Sequence, residues 1–457
     1  MLIPRPTLAA LARRLRGLPA GLRVVDAEAD VDPLDLVRSG AAAFGHAAFY
    51  ASPEGTTIGT LGVAHRVSAS GSNRLNLLDA DLRTLESEIP AMVGFAFDGD
   101  GTLGADWEGF PSATLVVPEV AVVRRAGKSR LWIALPPGAE GHLLLTLAAT
   151  LKAPPPIPEE SATENTVEAR PTPTDWLGLV DEALAAIKAG SMQKVVLARS
   201  VAVTAAVALA AFDLVSELRD RYPECHVFGW QEGEAVFIGA SPELLVARDG
   251  QNFHLAPLAG SAARGSDAED DRRLGDDLLG SAKNREEHEL VVADAMQRLR
   301  PITTTLERSP TPVLHRFATV QHLATSIRGT TDSRLLELAD ALHPTPAVAG
   351  TPRADALAFI EKMEGIDRGW YSGGIGWADA SGTGELALGL RSALIRGPHA
   401  IAYAGNGIVA GSDPATELEE TRLKLRPMVE ALAPLEPPQF AIRNSQFDQA
   451  GPGFPPP

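Results

Sequence analysis

The chain has 457 residues, 45% of them hydrophobic and 22% charged, which is the composition of a globular protein long enough to bury a large core. Its formal net charge of −17 argues against nucleic acid and anionic membranes as partners, and leaves any acidic substrate to be held by local Arg and Lys. Cys225 is the single cysteine, so no intrachain disulfide or cysteine-held metal cluster is possible, in keeping with a reducing cytoplasm.

In chain order, the first segment (MLIPRPTLAALARRLRGLPAG) reads as an amphipathic helix, because prolines and arginines interrupt any signal-like apolar run. Residues 22–150 alternate short β-like runs, such as ATLVVPEVAVV and SRLWIALP, with turn signals. Residues 151–174 hold PPPIP and a Ser/Thr/Glu/Pro mixture, which predicts a linker or exposed loop. From Asp175 to Ala189, Leu177, Val180, Leu184 and Ile187 recur at helical spacing and Gly190 is a stop. Strands are predicted at Lys194–Val203, Glu234–Ser241, Gly384–Ile395 and His399–Val409, and helices at 281–300 and 413–426, with Pro427 ending or kinking the last. Strands in runs with helices grouped between them indicate an α+β fold with largely antiparallel sheet. The tail from Pro434, ending GPGFPPP, is expected to be disordered.

The most informative stretch is Asp413–Lys424, DPATELEETRLK. Asp413 suits an N-cap and Pro414 the first helical position. Glu417, Glu420 and Lys424 then fall at i, i+3 and i+7 on one face. Two carboxylates beside a cation suit a hard divalent metal and an anionic ligand. A solvated face is the ordinary reading of such a run, but the glycine-rich AGNGIVAG (Ala404–Gly411) immediately precedes it and lets backbone amides approach a ligand.

Other segments carry weaker signals. In KVVLAR, Lys194, Val196 and Ala198 share a strand face and Arg199 takes the other; a lysine at a strand start is usually just exposed. Ser241-Pro242-Glu243 closes a strand and leaves a carboxylate at its edge, a candidate general acid or an ordinary turn residue. PLAGSAARG (Pro257–Gly265) reads as a small-residue loop able to cradle a carboxylate. In AKNREEHELV (Ala282–Val291), Asn284, Glu287 and Val291 share a helix face, so Glu287 can join Glu417 and Glu420. No HExxH occurs, and His288, His315 and His322 lack zinc spacing. His322 precedes an apolar pair, where a satisfied core residue is the commoner outcome. If Gly384–Ile395 is one strand, Arg391 stands on a face of small residues, a plausible clamp for a carboxylate.

As an ordered set, KVVLAR, GASPELL, PLAGS, KxxxEHELV, VQHLAT, LHPTPAVAG, LRSALI and AGNGIVAGSDPxxELEET closely resemble the chorismate-utilising enzymes, a family that includes anthranilate, aminodeoxychorismate, isochorismate and salicylate synthases. The resemblance covers about residues 175–432. It implies a single large α+β domain of antiparallel sheets flanked by helices, with residues 1–150 as its variable N-terminal part. Anthranilate synthases resemble this chain but carry glutamine at Lys194, and aminodeoxychorismate synthases carry a nucleophilic lysine at Ala259. The resemblance therefore implies an isochorismate- or salicylate-forming member. Ala347, where pyruvate-eliminating members usually have threonine, selects the former: Mg²⁺-dependent conversion of chorismate to isochorismate.

By the same resemblance, Lys194 is the base and Glu243 the acid. Glu287 and Glu420 hold the metal, with Glu417 near or through water. Arg391, Tyr403, the Gly405/Gly407 backbone and Lys424 hold the enolpyruvyl carboxylate. Gly260, Ser261 and His322 line the ring pocket. A monomer without a glutamine amidotransferase subunit is expected, and the long N-terminal part resembles menaquinone-type more than siderophore-type members. Many relatives have Asp or Glu at the position of Asn284, so weaker metal binding is expected here.

Overall fold

The computed structural model describes residues 2–18, 21–85, 89–100, 103–139, 141–154 and 165–433. Its strands form a twelve-stranded, a nine-stranded and a three-stranded sheet, and every strand pair is antiparallel. Helices flank them, as the α+β reading requires. The N-terminal segment is woven into the same sheets: His46–Ala51 pairs with His226–Glu232 in the large sheet, and Ala91–Phe95 with Gly374–Ala378 in the second. No described helix is long and apolar enough to cross a membrane.

The N-terminal helix (Arg5–Arg16), the helix predicted from Asp175 (Pro173–Lys188) and the two charged helices (Ala282–Leu299 and Pro414–Leu432) all form. Four sequence expectations are corrected. The supposed linker at 151–174 contains a strand, Thr166–Arg170, which pairs antiparallel with Ser200–Thr204. Its T-V-E-A-R alternation was hidden among proline and polar neighbours, and residues 155–164 lie outside the described set, as does the tail from Pro434. Pro427 does not end its helix, which runs on to Leu432 because Met428, Val429 and Leu432 remain buried in the core beyond it. PLAGSAARG is a strand rather than a loop: Leu258–Ala263 pairs with Val320–Ala324, and its register shifts between Ala259 and Ser261, around Gly260 at φ +71°. Small residues have little strand propensity of their own, and here the pairing partner decides.

The fourth correction matters most for the site. Gly384–Ile395 is two strands in different sheets: Gly384–Leu388 in the nine-stranded sheet and Ser392–Arg396 in the twelve-stranded one. Arg391 stands in the connection with a left-handed backbone at φ +47°. A Cβ on nearby Gly389 would meet the Trp370 carbonyl at 2.5 Å, so the chain changes sheets in close contact with another backbone. Both halves keep a two-residue alternation, and alternation cannot reveal a sheet change.

Candidate active site

One pocket gathers residues from every motif above: the start of the Lys194 strand, the Glu243 turn, Leu258–Ser261, the Ala282–Leu299 helix, His322, Ala347, Arg391, the glycines of the His399–Val409 strand and the last helix. All the predicted site residues line it except Tyr403. That ring is buried and stacks on Tyr371, with centroids 5.2 Å apart. Tyr371 is the aromatic on the pocket wall.

Lys194 is 1% exposed, against the usual fate of a lysine at a strand start, and its Nζ lies 2.9 Å from Glu287 Oε1. Arg199 takes the opposite face, 5.9 Å from the Trp176 ring centroid. The lysine–glutamate pair fits only because position 407 is glycine: a Cβ there would meet Glu287 Oε1 at 2.5 Å and Lys194 Cε at 2.9 Å. The strand is held from behind by the buried pair Glu364–Arg368. Glu364 accepts the Ala198 amide at 2.8 Å, and Arg368 donates to the carbonyls of Val196 and Val348, each at 2.8 Å. The pair thus ties the strand that carries Lys194 to the loop that carries Ala347.

Glu243 is buried on the pocket wall. Burial pushes its carboxyl up to about 7, against the pull of the Leu258 amide, Lys194 and Lys424. A carboxyl at that value is protonated often enough near neutral pH to act as an acid. His322 is the reverse case: burial, then Arg391 and Lys424, lower it to about 3, so the imidazole is neutral. Its Nδ1 lies 2.9 Å from Ser261 Oγ, and its buried Nε2 has no partner. A buried, unpaired nitrogen on a pocket wall is costly unless a ligand or water meets it. Arg391 is half-buried in the pocket wall and forms no ion pair among the described residues, which suits it to an anionic ligand.

The three pocket carboxylates, Glu287, Glu417 and Glu420, are each paired with a lysine. Glu417 faces Lys283 Nζ at 3.4 Å and accepts a hydrogen bond from the Asn406 amide. Burial, and the charge of Glu420 beside it, raise its pKa. Glu420 lies 2.9 Å from Lys424; burial works against its ionised form, but Lys424 and the Asn406 hydrogen bond together favour it and the net shift is downward. Lys424 also donates to the Gly405 carbonyl at 3.1 Å and to Asn406 Oδ1 at 2.6 Å. An ammonium has three protons, so in this arrangement Lys424 organises Glu420 and the glycine strand rather than pointing a free donor at a ligand.

The donor set fits a hard divalent cation in kind, being three carboxylates without thiolate. The three do not all approach within 4.8 Å of one another; they surround the pocket, each balanced by an ammonium. Asn284 also lines the pocket and lies against Gly260, where a Cβ would meet its Oδ1 at 3.3 Å. Its Nδ2 donates to Ser281 Oγ at 2.9 Å.

Sequence reasoning missed Lys283, Asn406, Tyr371 and the Glu364–Arg368 brace. Lys283 and Asn406 sit inside quoted motifs and were passed over for their neighbours. The stretch Glu364–Trp377, EGIDRGWYSGGIGW, carried a signal, since charged residues among glycines and aromatics match neither a surface helix nor an alternating strand.

Comparison with known proteins agrees with this geometry. The family described as chorismate binding enzyme matches residues 15–433. The salicylate biosynthesis isochorismate synthase of Pseudomonas aeruginosa is 38% identical over 353 residues, 74% of this chain and 73% of the relative. The isochorismate synthase MenF of Bacillus subtilis is 36% identical over 347 residues, 74% of each chain. Among solved structures, the menaquinone-specific isochorismate synthase MenF of Escherichia coli superposes with a TM-score of 0.82 at 29% identity, over 94% of this chain and 99% of that one. With the family matched along nearly the whole described chain, this protein belongs to the chorismate-binding enzymes.

Proposed function

We infer that this chain is an isochorismate synthase, adding water at C2 of chorismate as the C4 hydroxyl leaves. The observation that carries the reading is a buried amine, Lys194, and a buried carboxyl near pH 7, Glu243, on the wall of one pocket. The relatives named for this activity support it. Lys194 takes a proton from water as the water oxygen bonds to C2. The ring double bonds shift, and the C4 oxygen departs as water with the proton from Glu243. Proton exchange with solvent resets both groups. Arg391 holds a substrate carboxylate, and the unpaired Nε2 of His322 offers a hydrogen bond at the ring. Incubation with chorismate and Mg²⁺, followed by separation of the products, tests the assignment directly. Isochorismate is expected, and unconverted chorismate would overturn the reading.

Glu287 and Glu420 would hold Mg²⁺, with Glu417 close by or through a water. Bound there, the ion supplies positive charge to the ring carboxylate. Turnover is expected to vanish with a chelator and return with Mg²⁺, and Glu420→Ala to raise the Mg²⁺ concentration needed for half-maximal rate at least about tenfold. Chelator-insensitive turnover would sink the metal assignment. Because Asn284 brings no charge, Asn284→Asp is expected to tighten Mg²⁺ binding measured by calorimetry; unchanged or weaker binding would show that this position does not limit affinity.

Product choice is expected to follow Ala347. Threonine there would add a β-branched, hydrogen-bonding wall able to hold the intermediate in the pose for pyruvate loss. Wild type should release isochorismate with little salicylate or pyruvate, and Ala347→Thr should raise the pyruvate share, modestly, since orientation effects depend on fine placement. Salicylate and pyruvate as the main wild-type products would favour a salicylate synthase instead.

A further inference from the structure

A second group of metal-ligating side chains lies outside this pocket. Glu54 is in the turn between the strands His46–Ala51 and Thr57–Leu61, His226 begins the strand His226–Glu232, and Glu385 is on Gly384–Leu388. One ligand atom from each lies within 4.8 Å of the others. We propose that these three side chains form a second divalent-metal site, which takes a borderline transition ion such as Zn²⁺ in preference to Mg²⁺.

Four observations converge on it. The donor set of one imidazole and two carboxylates differs from the all-oxygen set of the substrate pocket, and an imidazole nitrogen suits Zn²⁺ or its neighbours while Mg²⁺ prefers oxygen and water. Two carboxylates are brought together, yet neither Glu54 nor Glu385 has a Lys or Arg within ion-pair distance among the described residues. The nearby Arg125 guanidinium is instead over the Trp377 ring, 4.1 Å from its centroid.

The outer partners are already built. Tyr50 Oη lies 2.9 Å from His226 Nδ1 and 3.4 Å from Glu385 Oε2, and Ser52 Oγ donates to Glu385 Oε1 at 3.3 Å. If Nδ1–H donates to Tyr50 and Tyr50 donates to Glu385, the ring is fixed in the tautomer that leaves Nε2 free to ligate. That is the usual way an outer hydrogen bond orients a metal histidine. Finally, there is an entry path. Glu54 is exposed, and Glu385 is half-buried on the wall of an open cleft that also includes Thr56 and His254.

The position gives the ion a consequence. His226 pairs with Ser241, and the amide of Leu388, three residues after Glu385, donates to the Glu243 carbonyl at 3.0 Å. The ligands come from the twelve-stranded sheet and its turn on one side and from the nine-stranded sheet on the other. An ion between them ties the two sheets together next to the backbone that carries Glu243.

The test uses the full chain, stripped with chelator, saturated with Mg²⁺ and then titrated with Zn²⁺ by calorimetry. About one Zn²⁺ equivalent is expected to bind despite excess Mg²⁺ and to raise the thermal midpoint. Glu54→Gln and His226→Gln should each weaken that binding more than about tenfold, while Glu420→Ala leaves it unchanged. Glu54 is exposed in a turn, so Glu54→Gln keeps the proposal testable even if His226→Gln does not fold, and its turnover at saturating Mg²⁺ should equal wild type. Absence of a Zn²⁺ site under excess Mg²⁺, or a site of unaltered affinity in Glu54→Gln, overturns the proposal. Either result is independent of whether the protein makes isochorismate.

Discussion

Lys194→Gln is expected to lower the turnover of chorismate by about 10²–10⁴-fold, the range for loss of a positioned base. Glutamine is of similar length and can still donate to Glu287, so the geometry of the pocket should survive. What it lacks is the basic amine. The change also removes the ammonium 2.9 Å from Glu287, leaving a largely buried carboxylate without its counter-charge, so some loss of thermal stability is expected as well. Pairing it with Glu287→Gln separates the two effects. The double variant should regain stability, because no unpaired charge remains, but it should not regain turnover. Circular dichroism and melting would establish the fold, and product formation the rate. A folded Lys194→Gln protein that still turns over near the wild-type rate removes Lys194 from the chemistry.

Glu243→Gln should fall by a comparable factor, for the opposite proton transfer, and it should also change the pH profile. Burial sets this carboxyl at about 7. An acid catalyst works while protonated, so the wild-type rate is expected to decline as pH rises through about 7, and the residual rate of Glu243→Gln should lack that decline. The effect on stability has a defined sign. The folded-state value is raised above the unfolded one of about 4.3. The contribution from keeping the carboxyl protonated is therefore complete below the unfolded value and is lost as pH rises through about 7. Relative to Glu243→Gln, the wild type should lose stability across that window. A wild-type rate flat from pH 6 to 8, with a glutamine variant of similar activity, would exclude Glu243 as the acid.

Much of the candidate site was legible before any fold was known, because its parts are local. The last helix announces itself through Asp413, whose carboxylate accepts the Thr416 amide at 2.8 Å, and through Pro414 at its first turn. Once that helix exists, Glu417, Glu420 and Lys424 must share a face, and they all reach the pocket. Two-residue alternation likewise put Lys194 and Arg199 on opposite faces of one strand. The ordered motifs then supplied the family, which fixed the antiparallel α+β class and the meeting of distant segments.

Only the tertiary structure decided the features that depend on which backbones meet. Nothing in GELALGLRSALI marks the change of sheet that gives Arg391 its left-handed backbone, since each half alternates correctly for the sheet it joins. The strand at Leu258–Ala263 exists because Val320–Ala324 lies beside it, some sixty residues away in sequence. Tyr371 rather than Tyr403 reaches the pocket because the two rings stack and one covers the other. The pKa near 7 at Glu243 comes from burial by elements remote in sequence. Helical caps and periodicities act over a few residues, so the sequence displays them. Sheet exchange, ring stacking and desolvation act between residues tens to hundreds of positions apart, and they exist only after the chain has closed on itself.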